Sequence, residues 1–338
     1  MKKAVLFTKK KNNVVRCTAC NHFCIISPGE TGICGVRQNR DGELYLLIYG
    51  LTSGVQIDPI EKKPLFHFLP KADVFSIGTI GCNFACDFCQ NAWMSQCTKD
   101  DTIECPPLAP FPPEKIVNYC IKKDIPIIAY TFNEPAIFFE YTLDTAKLAH
   151  KKGIKNIYIS NGYESKKAID LIAPYLDGIN IDLKAFTEEF YRKRCKAKLQ
   201  PVLDNIKHYH EKGIWIEITT LIIPGENDST QELQKIAKFI AEISPSIPWH
   251  ITKFSPAYKM EDTPETPEET LHRAHEIGKK TGLKYVYAGN IVSEDLHSTY
   301  CPKCSTIVIQ RDWGYVKVAN LKNGNCLKCG TKIEGVWS

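Results

Sequence analysis

The stretch from Ser76 to Trp93, SIGTIGCNFACDFCQNAW, carries three cysteines in the spacing CxxxCxxC directly after an apolar run. They are Cys82, Cys86 and Cys89. A closed structural zinc site takes four protein ligands, and a secreted disulfide framework takes an even number of cysteines. Three thiols so close together therefore indicate a metal site in which one coordination position is left open.

The chain around this triplet predicts an α/β fold. Short β-branched runs alternate with helical segments, and repeated βα units form a parallel sheet. The runs are DVFSIGTI, IPIIAYT, NIYIS, GINIDL, IWIEITT, WHITKF and KYVYA, and the helical segments include PAIFFEYTLDTAKLAHKKG, QPVLDNIKHYHEKG, DSTQELQKIAKFIAEI and PEETLHRAHEIGKKTG. We expect the sheet to curl into a full or partial barrel. Its site should lie at the carboxyl ends of the strands, where the triplet follows the first run.

Three thiolates suit an open 4Fe-4S cluster. They hold three of its irons and leave the fourth free to bind a small molecule. The alternative is a three-cysteine fragment of a zinc site or of an ordinary ferredoxin site. The spacing and the position on the first loop of a barrel favour the open cluster.

At this point the residues resemble the radical S-adenosylmethionine (SAM) superfamily, whose cluster loop is CxxxCxΦC with an aromatic before the last cysteine. Phe88 is that aromatic here. The resemblance implies that the amino and carboxylate groups of SAM chelate the open iron. It also implies that an electron from the cluster cleaves the sulfonium to a 5′-deoxyadenosyl radical.

The same resemblance gives roles to polar residues at other strand ends. Many superfamily members carry a Gly-Gly-Glu element that binds the SAM amino group; here YTFNEP offers Glu134, with Asn133 in place of the second glycine. The residues that the resemblance places near the SAM ribose and carboxylate are Ser160, Asn161, Asp182 and Lys184. An Asn-Gly turn at 161–162 and a strand-end ion pair at 182–184 are the structural alternatives.

The segment LIIPGEND resembles the stretch that lies along the adenine of SAM in relatives. There Gly225 would let the backbone approach the ring. A βα turn in which Asp228 or Ser229 caps the next helix is the alternative.

The narrower resemblance is to activating enzymes of the pyruvate formate-lyase type, and within them to the radical SAM enzymes of the AmmeMemoRadiSam system. It rests on the segments RCTACNHFC, GICGVRQNRDGELY, DPIEKKPLFHFLP, GCNFACDFCQN, TFNEPAIFFEY, NIDLKAF, TTLIIPGENDS, PWHITKFSPAYKM and YVYAGN. It implies Memo-like and AMMECR-like partners and a reductant such as ferredoxin or flavodoxin, and it leaves the substrate unidentified, with a protein or another macromolecule among the candidates. There are two alternative functions. The protein could activate a glycyl radical enzyme, or it could be an iron-sulfur electron carrier or scaffold that never cleaves SAM.

Four cysteines near the C-terminus predict a separate metal site. CPKC and CLKCG flank an alternating stretch in which Ile307 and Ile309, then Val316 and Val318, suit a two-stranded ribbon. The ligands would be Cys301, Cys304, Cys326 and Cys329. Zinc is the predicted metal, and a single iron satisfies the same spacing.

Four further cysteines near the N-terminus form a third cluster: Cys17, Cys20, Cys24 and Cys34. Glycines at 29, 32 and 35 allow this loop to fold back on a metal, and His22 is an alternative ligand. The pattern leaves zinc and a second iron-sulfur cluster open.

The remaining histidines and cysteines are less informative. His67 and His250 lie in segments where either a substrate contact or a hydrogen-bonded structural role is compatible with the pattern. The other four cysteines, Cys97, Cys105, Cys120 and Cys195, are scattered, and we assign them no chemistry; Cys120 fits a helical core position.

Composition limits the classes of function. The 338 residues include 15 cysteines, and the absence of an apolar signal segment predicts a cytoplasmic protein whose cysteines bind metals rather than form disulfides. A net charge of +5, spread over helical lysines, is typical of a solvated surface rather than of nucleic-acid binding. No membrane span is expected. The predicted units are a Cys-rich module with its linker at 1–70, the barrel at 71–295, and a zinc-ribbon-like module at 296–338.

Overall fold

Small antiparallel sheets open the chain in the computed structural model, which describes residues 1–312 and 315–338. Their strands are β1 (Lys2–Lys3), β2 (Phe7–Lys9), β3 (Val15–Cys17), β4 (Ile25–Ile26), β5 (Arg37–Arg40), β6 (Glu43–Leu46) and β7 (Leu51–Thr52). They pair in the orders β1-β6-β5 and β2-β3-β4. The second of these sheets displays the N-terminal cysteine cluster, because Cys17 ends β3 and Cys24 precedes β4.

An eight-stranded sheet forms the centre of the molecule. In chain order its strands are β8 (Gly54–Pro59), β9 (Asp73–Gly78), β11 (Ile127–Tyr130), β12 (Lys155–Ser160), β13 (Gly178–Asp182), β14 (Trp215–Ile222), β15 (Trp249–Lys253) and β16 (Val286–Gly289), while β10 (Ala109–Pro110) pairs with β7 instead. All pairs from β9 to β16 are parallel, and β8 joins β9 antiparallel. The two edges of this curved sheet are β8 and β16, so it is a partial barrel.

Helices cover the outer face of the sheet. They are α1 (Ala92–Ser95), α2 (Pro113–Lys123), α3 (Phe139–His150), α4 (Lys166–Ile172), α5 (Glu188–Phe190), α6 (Leu199–Glu211), α7 (Thr230–Ile243), α8 (Glu268–Lys280) and α9 (Glu294–His297). Serine hydroxyls begin α4 and α7: Ser165 accepts from the Ala168 N–H, and Ser229 from the Glu232 N–H. Because helices lie outside and side chains fill the inside, a central strand such as β11 is buried along its whole length.

One end of the barrel is closed by the segment before β9. Ile60, Leu65 and Phe68 pack there against Val74 and Ile127 near the amino ends of their strands. The carboxyl ends of the strands lie at the opposite end. The fold therefore leaves its polar cavity at the carboxyl edge, as predicted for a βα barrel.

A short ribbon follows the barrel. Its strands are β17 (Thr299–Tyr300), β18 (Ile307–Asp312), β19 (Tyr315–Val318), β20 (Leu321–Lys322) and β21 (Asn325–Cys326). The predicted pairing is confirmed, because Ile309 lies opposite Val318 in an antiparallel ladder. None of the helices given above has the length and apolar character that a membrane span requires.

All seven predicted parallel strands are present. Strand β8 was not predicted, and it enters the sheet before residue 71, where the sequence placed the start of the barrel. The division of the chain into three units stays a prediction.

Candidate functional site

A cavity of about 410 Å³ opens at the carboxyl ends of the barrel strands. Loops or last residues of β9, β11, β12, β13, β14, β15 and β16 all contribute to it. The predicted site residues that line it are Cys82, Cys86, Phe88, Cys89, Glu134, Ser160, Asn161, Asp182 and Lys184. The fold thus brings together residues that are up to 102 positions apart in the sequence, between 82 and 184.

The three thiols of the cluster loop occupy one wall of this cavity. The loop is irregular and is fixed by backbone hydrogen bonds to the turn after α5: the Ala85 N–H donates to the Cys195 carbonyl at 3.1 Å, and the Asp87 N–H to the Arg194 carbonyl at 2.9 Å. The Phe84 N–H donates to the sulfur of Cys82 at 3.4 Å, and Cys89 Sγ lies 3.1 Å from Ser95 Oγ. These donors suit thiolate sulfurs.

Burial raises the pKa of Cys82 and of Cys89. For Cys86, a hydrogen bond with the buried thiol of Cys195 raises the pKa first, and burial adds to it. The bare thiols are therefore protonated near neutral pH, and a metal must displace their protons.

The cavity fits an iron-sulfur cluster with a polar ligand beside it. The three thiols share one wall, and their sulfurs are not gathered as closely as ligands around one ion would be. The hydroxyl of Thr219 is buried in the lining without a hydrogen-bond partner among the described residues. Such an orphaned hydroxyl is the kind of group that a bound polar molecule satisfies.

Glu134 lies in the cavity wall and is held by its neighbours. Its carboxylate accepts from the Asn161 N–H at 2.9 Å, from the Ala136 N–H at 3.1 Å and from the Ser160 hydroxyl at 3.0 Å. These hydrogen bonds hold the carboxylate in place, and only 1% of the residue is exposed.

Glu164 is a second carboxyl at this point, and sequence reasoning missed it. It lies 2.9 Å from the Ser160 hydroxyl that also contacts Glu134. One hydroxyl has one proton to donate, so both contacts of Ser160 are hydrogen bonds only when it accepts the second from a carboxyl that keeps its proton. Burial raises the pKa of both carboxyls, and for Glu134 the charge of Glu164 raises it further.

Asp182 and Lys184 form an ion pair at the end of β13, with 2.8 Å between Asp182 Oδ2 and Lys184 Nζ. Burial disfavours the charge of Lys184, but Asp182 and the thiols of Cys86 and Cys195 outweigh it and raise its pKa. The ammonium also lies 5.7 Å from the ring centroid of Phe88. A fixed cation therefore stands between the cluster loop and the strand end.

Asn133 stands in place of the second glycine of the Gly-Gly-Glu element named above, and it joins two loops of the site. Its side-chain amide donates to the Gly81 carbonyl at 2.9 Å and to the Thr79 hydroxyl at 3.0 Å. The left-handed backbone conformation falls instead on Phe132, with φ 68°. Lys63 was also missed: it lines the cavity and pairs with Asp58 at 3.0 Å.

The structure places three further sequence candidates outside the lining of the cavity. Gly225 lies outside the cavity lining, in a βα turn where its N–H donates to Asp228 and Ser229 caps α7. His67 and His250 lie in a buried network below the cavity: His67 contacts the Tyr287 hydroxyl and His250 contacts Glu217, each at 2.6 Å. Burial lowers the pKa of His67 to about 4. The geometry therefore supports the βα turn for Gly225 and the hydrogen-bonded structural role for the two histidines.

The expectation that the cysteines form no disulfides is wrong at one place. Cys97 and Cys105 are bonded to each other, because the irregular segment after α1 brings their Cα atoms to 5.0 Å. Sequence spacing alone does not reveal such a contact.

The C-terminal quartet is compact. The sulfurs of Cys301, Cys304, Cys326 and Cys329 all lie within 4.8 Å of one another, and two of the separations are 3.5 and 3.8 Å. A tetrahedral ion with bonds of about 2.3 Å sets its sulfurs about 3.8 Å apart. The geometry thus matches one four-coordinate ion.

The N-terminal quartet lies against the cluster loop. Cys17, Cys20 and Cys34 are buried and Cys24 is half-buried. Burial raises the pKa of Cys20, and the neighbouring thiol of Cys17 raises it further. His22 is not turned toward a metal in the structure, since its Nε2 lies 2.9 Å from the Asn83 carbonyl oxygen in the cluster loop.

Comparisons with known proteins agree with this geometry. The family described as the Radical SAM superfamily matches residues 76–240. An uncharacterized protein from Methanocaldococcus jannaschii is 41% identical over 337 residues, 99% of each chain. A putative glycyl-radical enzyme activating enzyme from the same organism is 30% identical over 64% of this chain and 81% of that protein. A radical SAM methyltransferase from Sphaerobacter thermophilus shares the fold, with a TM-score of 0.51 and 14% identity over 65% of this chain and 67% of that chain.

Proposed function

The chain belongs to the radical SAM superfamily, and we propose that its cavity binds an open 4Fe-4S cluster through Cys82, Cys86 and Cys89 with SAM beside it. One observation supports this assignment above all others. The three thiols of a single loop face the same cavity as Glu134 after β11 and the ion pair of Asp182 and Lys184 at the end of β13. When bound, the reduced cluster supplies one electron that cleaves SAM and leaves a 5′-deoxyadenosyl radical to abstract hydrogen from the substrate.

The residues of the chain bind and orient SAM. The Glu134 carboxylate receives its amino group, because that oxygen pair is buried, fixed by three hydrogen bonds and open to the cavity. Lys184 attracts its carboxylate, and Asp182, Ser160 and Asn161 offer partners for the ribose. Phe88 covers the cluster loop from the side of Phe190, with 5.8 Å between the two ring centroids, and so limits the access of water.

Within the superfamily, we place the chain in the AmmeMemoRadiSam system, with Memo-like and AMMECR-like partners and a reductant of the ferredoxin or flavodoxin class. The joint occurrence of the nine sequence segments over most of the chain supports this placement. The cavity at the carboxyl ends of the strands is where a protein or other macromolecular substrate would present its hydrogen atom. The C-terminal quartet would hold zinc, since its sulfur spacing suits one ion.

Activation of a glycyl radical enzyme is the second candidate function. The 30% identity to a putative glycyl-radical enzyme activating enzyme favours it. Both candidates use the same cavity and differ in the partner that presents the hydrogen atom.

SAM cleavage separates an enzyme from an electron carrier or scaffold. The protein should be reconstituted anaerobically with iron and sulfide, reduced with dithionite and incubated with SAM. We expect 5′-deoxyadenosine to accumulate above the level in a sample without protein, as measured by chromatography and mass spectrometry. SAM that stays intact in a sample with a complete cluster would favour the carrier or scaffold.

A further inference from the structure

The N-terminal quartet differs in spacing from the C-terminal quartet. In residues 1–312 and 315–338, the ribbon cysteines are gathered so that all ligand atoms lie within 4.8 Å, whereas Cys17, Cys20, Cys24 and Cys34 are not gathered to that spacing. The same is true of the triplet that we assign to a cluster. Each thiolate of a cluster binds a different iron at a corner of the cube, so its sulfurs lie farther apart than those around a single zinc.

The four thiols nonetheless belong to one small structure. Strands β3 and β4 hold two of them together, because the Cys17 N–H donates to the Cys24 carbonyl at 2.9 Å. Gly32, in the loop of Cys34, lies so close that a Cβ placed on it would be 3.6 Å from Cys24 Sγ. Three buried thiols and one half-buried thiol thus lie near one another, and none of them forms a disulfide.

Arg37 supplies a second, independent sign of a bound group. Its side chain is 2% exposed, and its two terminal nitrogens donate to Glu140 at 2.8 Å each. The remaining Nε–H is buried and has no partner among the described residues. The Glu140 carboxylate and the nearby thiols of Cys17 and Cys34 raise the pKa of Arg37 against the effect of its burial. Sulfide or thiolate sulfur of a bound cluster would accept this orphaned hydrogen.

The quartet also touches the loop of the radical site. The Thr98 hydroxyl donates to the Cys34 carbonyl at 3.0 Å. Gly81, which directly precedes Cys82, has φ +84°, and a Cβ on it would lie 2.5 Å from the Cys34 carbonyl oxygen. Only glycine permits this approach. The backbone at Cys34 therefore packs directly against the backbone of the cluster loop at Gly81.

We propose that Cys17, Cys20, Cys24 and Cys34 bind a second 4Fe-4S cluster that delivers electrons to the cluster of Cys82, Cys86 and Cys89. A one-electron donor of the ferredoxin or flavodoxin class reduces the second cluster from the 2+ to the 1+ state. The electron then passes to the open cluster, which goes from 2+ to 1+ while the second cluster returns to 2+. No bond or proton changes in the relay. Binding of the cluster is independent of the proposed function, and only the destination of the electron rests on it.

Metal analysis tests the site without any SAM chemistry. The full chain carrying Cys82→Ala, Cys86→Ala and Cys89→Ala should keep about four irons and four sulfides per chain after reconstitution, and about one zinc in the ribbon. Adding Cys20→Ala and Cys24→Ala together should remove the iron and sulfide and leave the zinc, since two thiols do not hold a cluster, whereas adding Cys120→Ala in the buried face of α2 should change neither. About two zincs without iron, or about one zinc without iron, would each overturn the proposal.

A second variant guards against failure of the triple variant to fold. In the otherwise intact chain, Cys20→Ala and Cys24→Ala together should lower the iron content from about eight to about four per chain. Its SAM cleavage should fall about tenfold or more with reduced flavodoxin as donor, yet stay within about twofold of the unchanged protein with dithionite. Equal loss with both reductants, or no loss with either, would refute the relay.

Discussion

Replacing Cys86 by alanine is expected to abolish SAM cleavage. The change removes one of three iron ligands from the cavity wall, and the remaining two thiols cannot hold a cluster in a defined position. The measurement is 5′-deoxyadenosine in the reconstituted protein, together with the iron-sulfur absorbance of the variant. We expect the product to fall to the level of the sample without protein, and the same for Cys82→Ala and Cys89→Ala.

The matched control is Cys120→Ala. Cys120 is a fully buried thiol in α2, so this variant reports the effect of losing a buried sulfur without touching the cavity. It should keep its cluster and cleave SAM. A Cys86→Ala protein that still produced 5′-deoxyadenosine would contradict the assignment of the triplet.

The second large effect is expected from Glu134→Gln. A hydrogen bond to a charged group contributes about 1.5 to 3 kcal/mol, so loss of the charge should weaken SAM binding about 10- to 100-fold. The cluster should assemble normally, since Glu134 holds none of its irons. Titration calorimetry on the reconstituted protein measures the affinity. Glu242→Gln on the exposed face of α7 is the control, with a side chain 64% exposed.

The same carboxyl predicts the pH dependence of binding. Burial and the neighbouring Glu164 raise the pKa of Glu134. At a pH just above the usual carboxyl pKa, the two carboxyls therefore bind more protons in the folded protein than in the unfolded chain. Without SAM, this pair therefore lowers stability as pH rises through that window. An ammonium group favours the charged carboxylate, so SAM affinity should increase with pH and binding should release a proton. Unchanged affinity in Glu134→Gln, with the same pH profile as the wild type, would move the amino-group contact to another residue.

The sequence was sufficient for the parallel sheet because its signals are local. Each predicted strand is a short β-branched run bounded by a helix, and the carboxyl ends of such strands meet at one edge. That rule, together with the resemblance to the radical SAM superfamily, predicted Cys82, Glu134, Ser160 and Lys184 at one site, and all four line the cavity. The alternation at Ile307 and Val316 likewise predicted the ribbon before any pairing was known.

Contacts between distant segments could not be predicted from the sequence. Strand β8 has exposed Val55 and Ile57 and depends on β9 for its register. Glu164 acts through the hydroxyl of Ser160, which no spacing rule reveals. The disulfide of Cys97 and Cys105 depends on the path of an irregular loop. Gly225 lies in a turn outside the cavity lining, and the sequence could not distinguish this place from a ligand contact, because a positive φ in a turn and a close approach to a ligand both favour glycine.

Electron paramagnetic resonance of the reduced protein tests most directly whether SAM binds the open iron beside Glu134 and Lys184. The protein with Cys20→Ala and Cys24→Ala is the sample of choice, because it should contain the open cluster without the second one. A ligand on the unique iron changes the symmetry of the cluster, so the signal should shift when SAM is added and should return when SAM is removed. An identical spectrum with and without saturating SAM, from a protein with a complete cluster, would contradict the account.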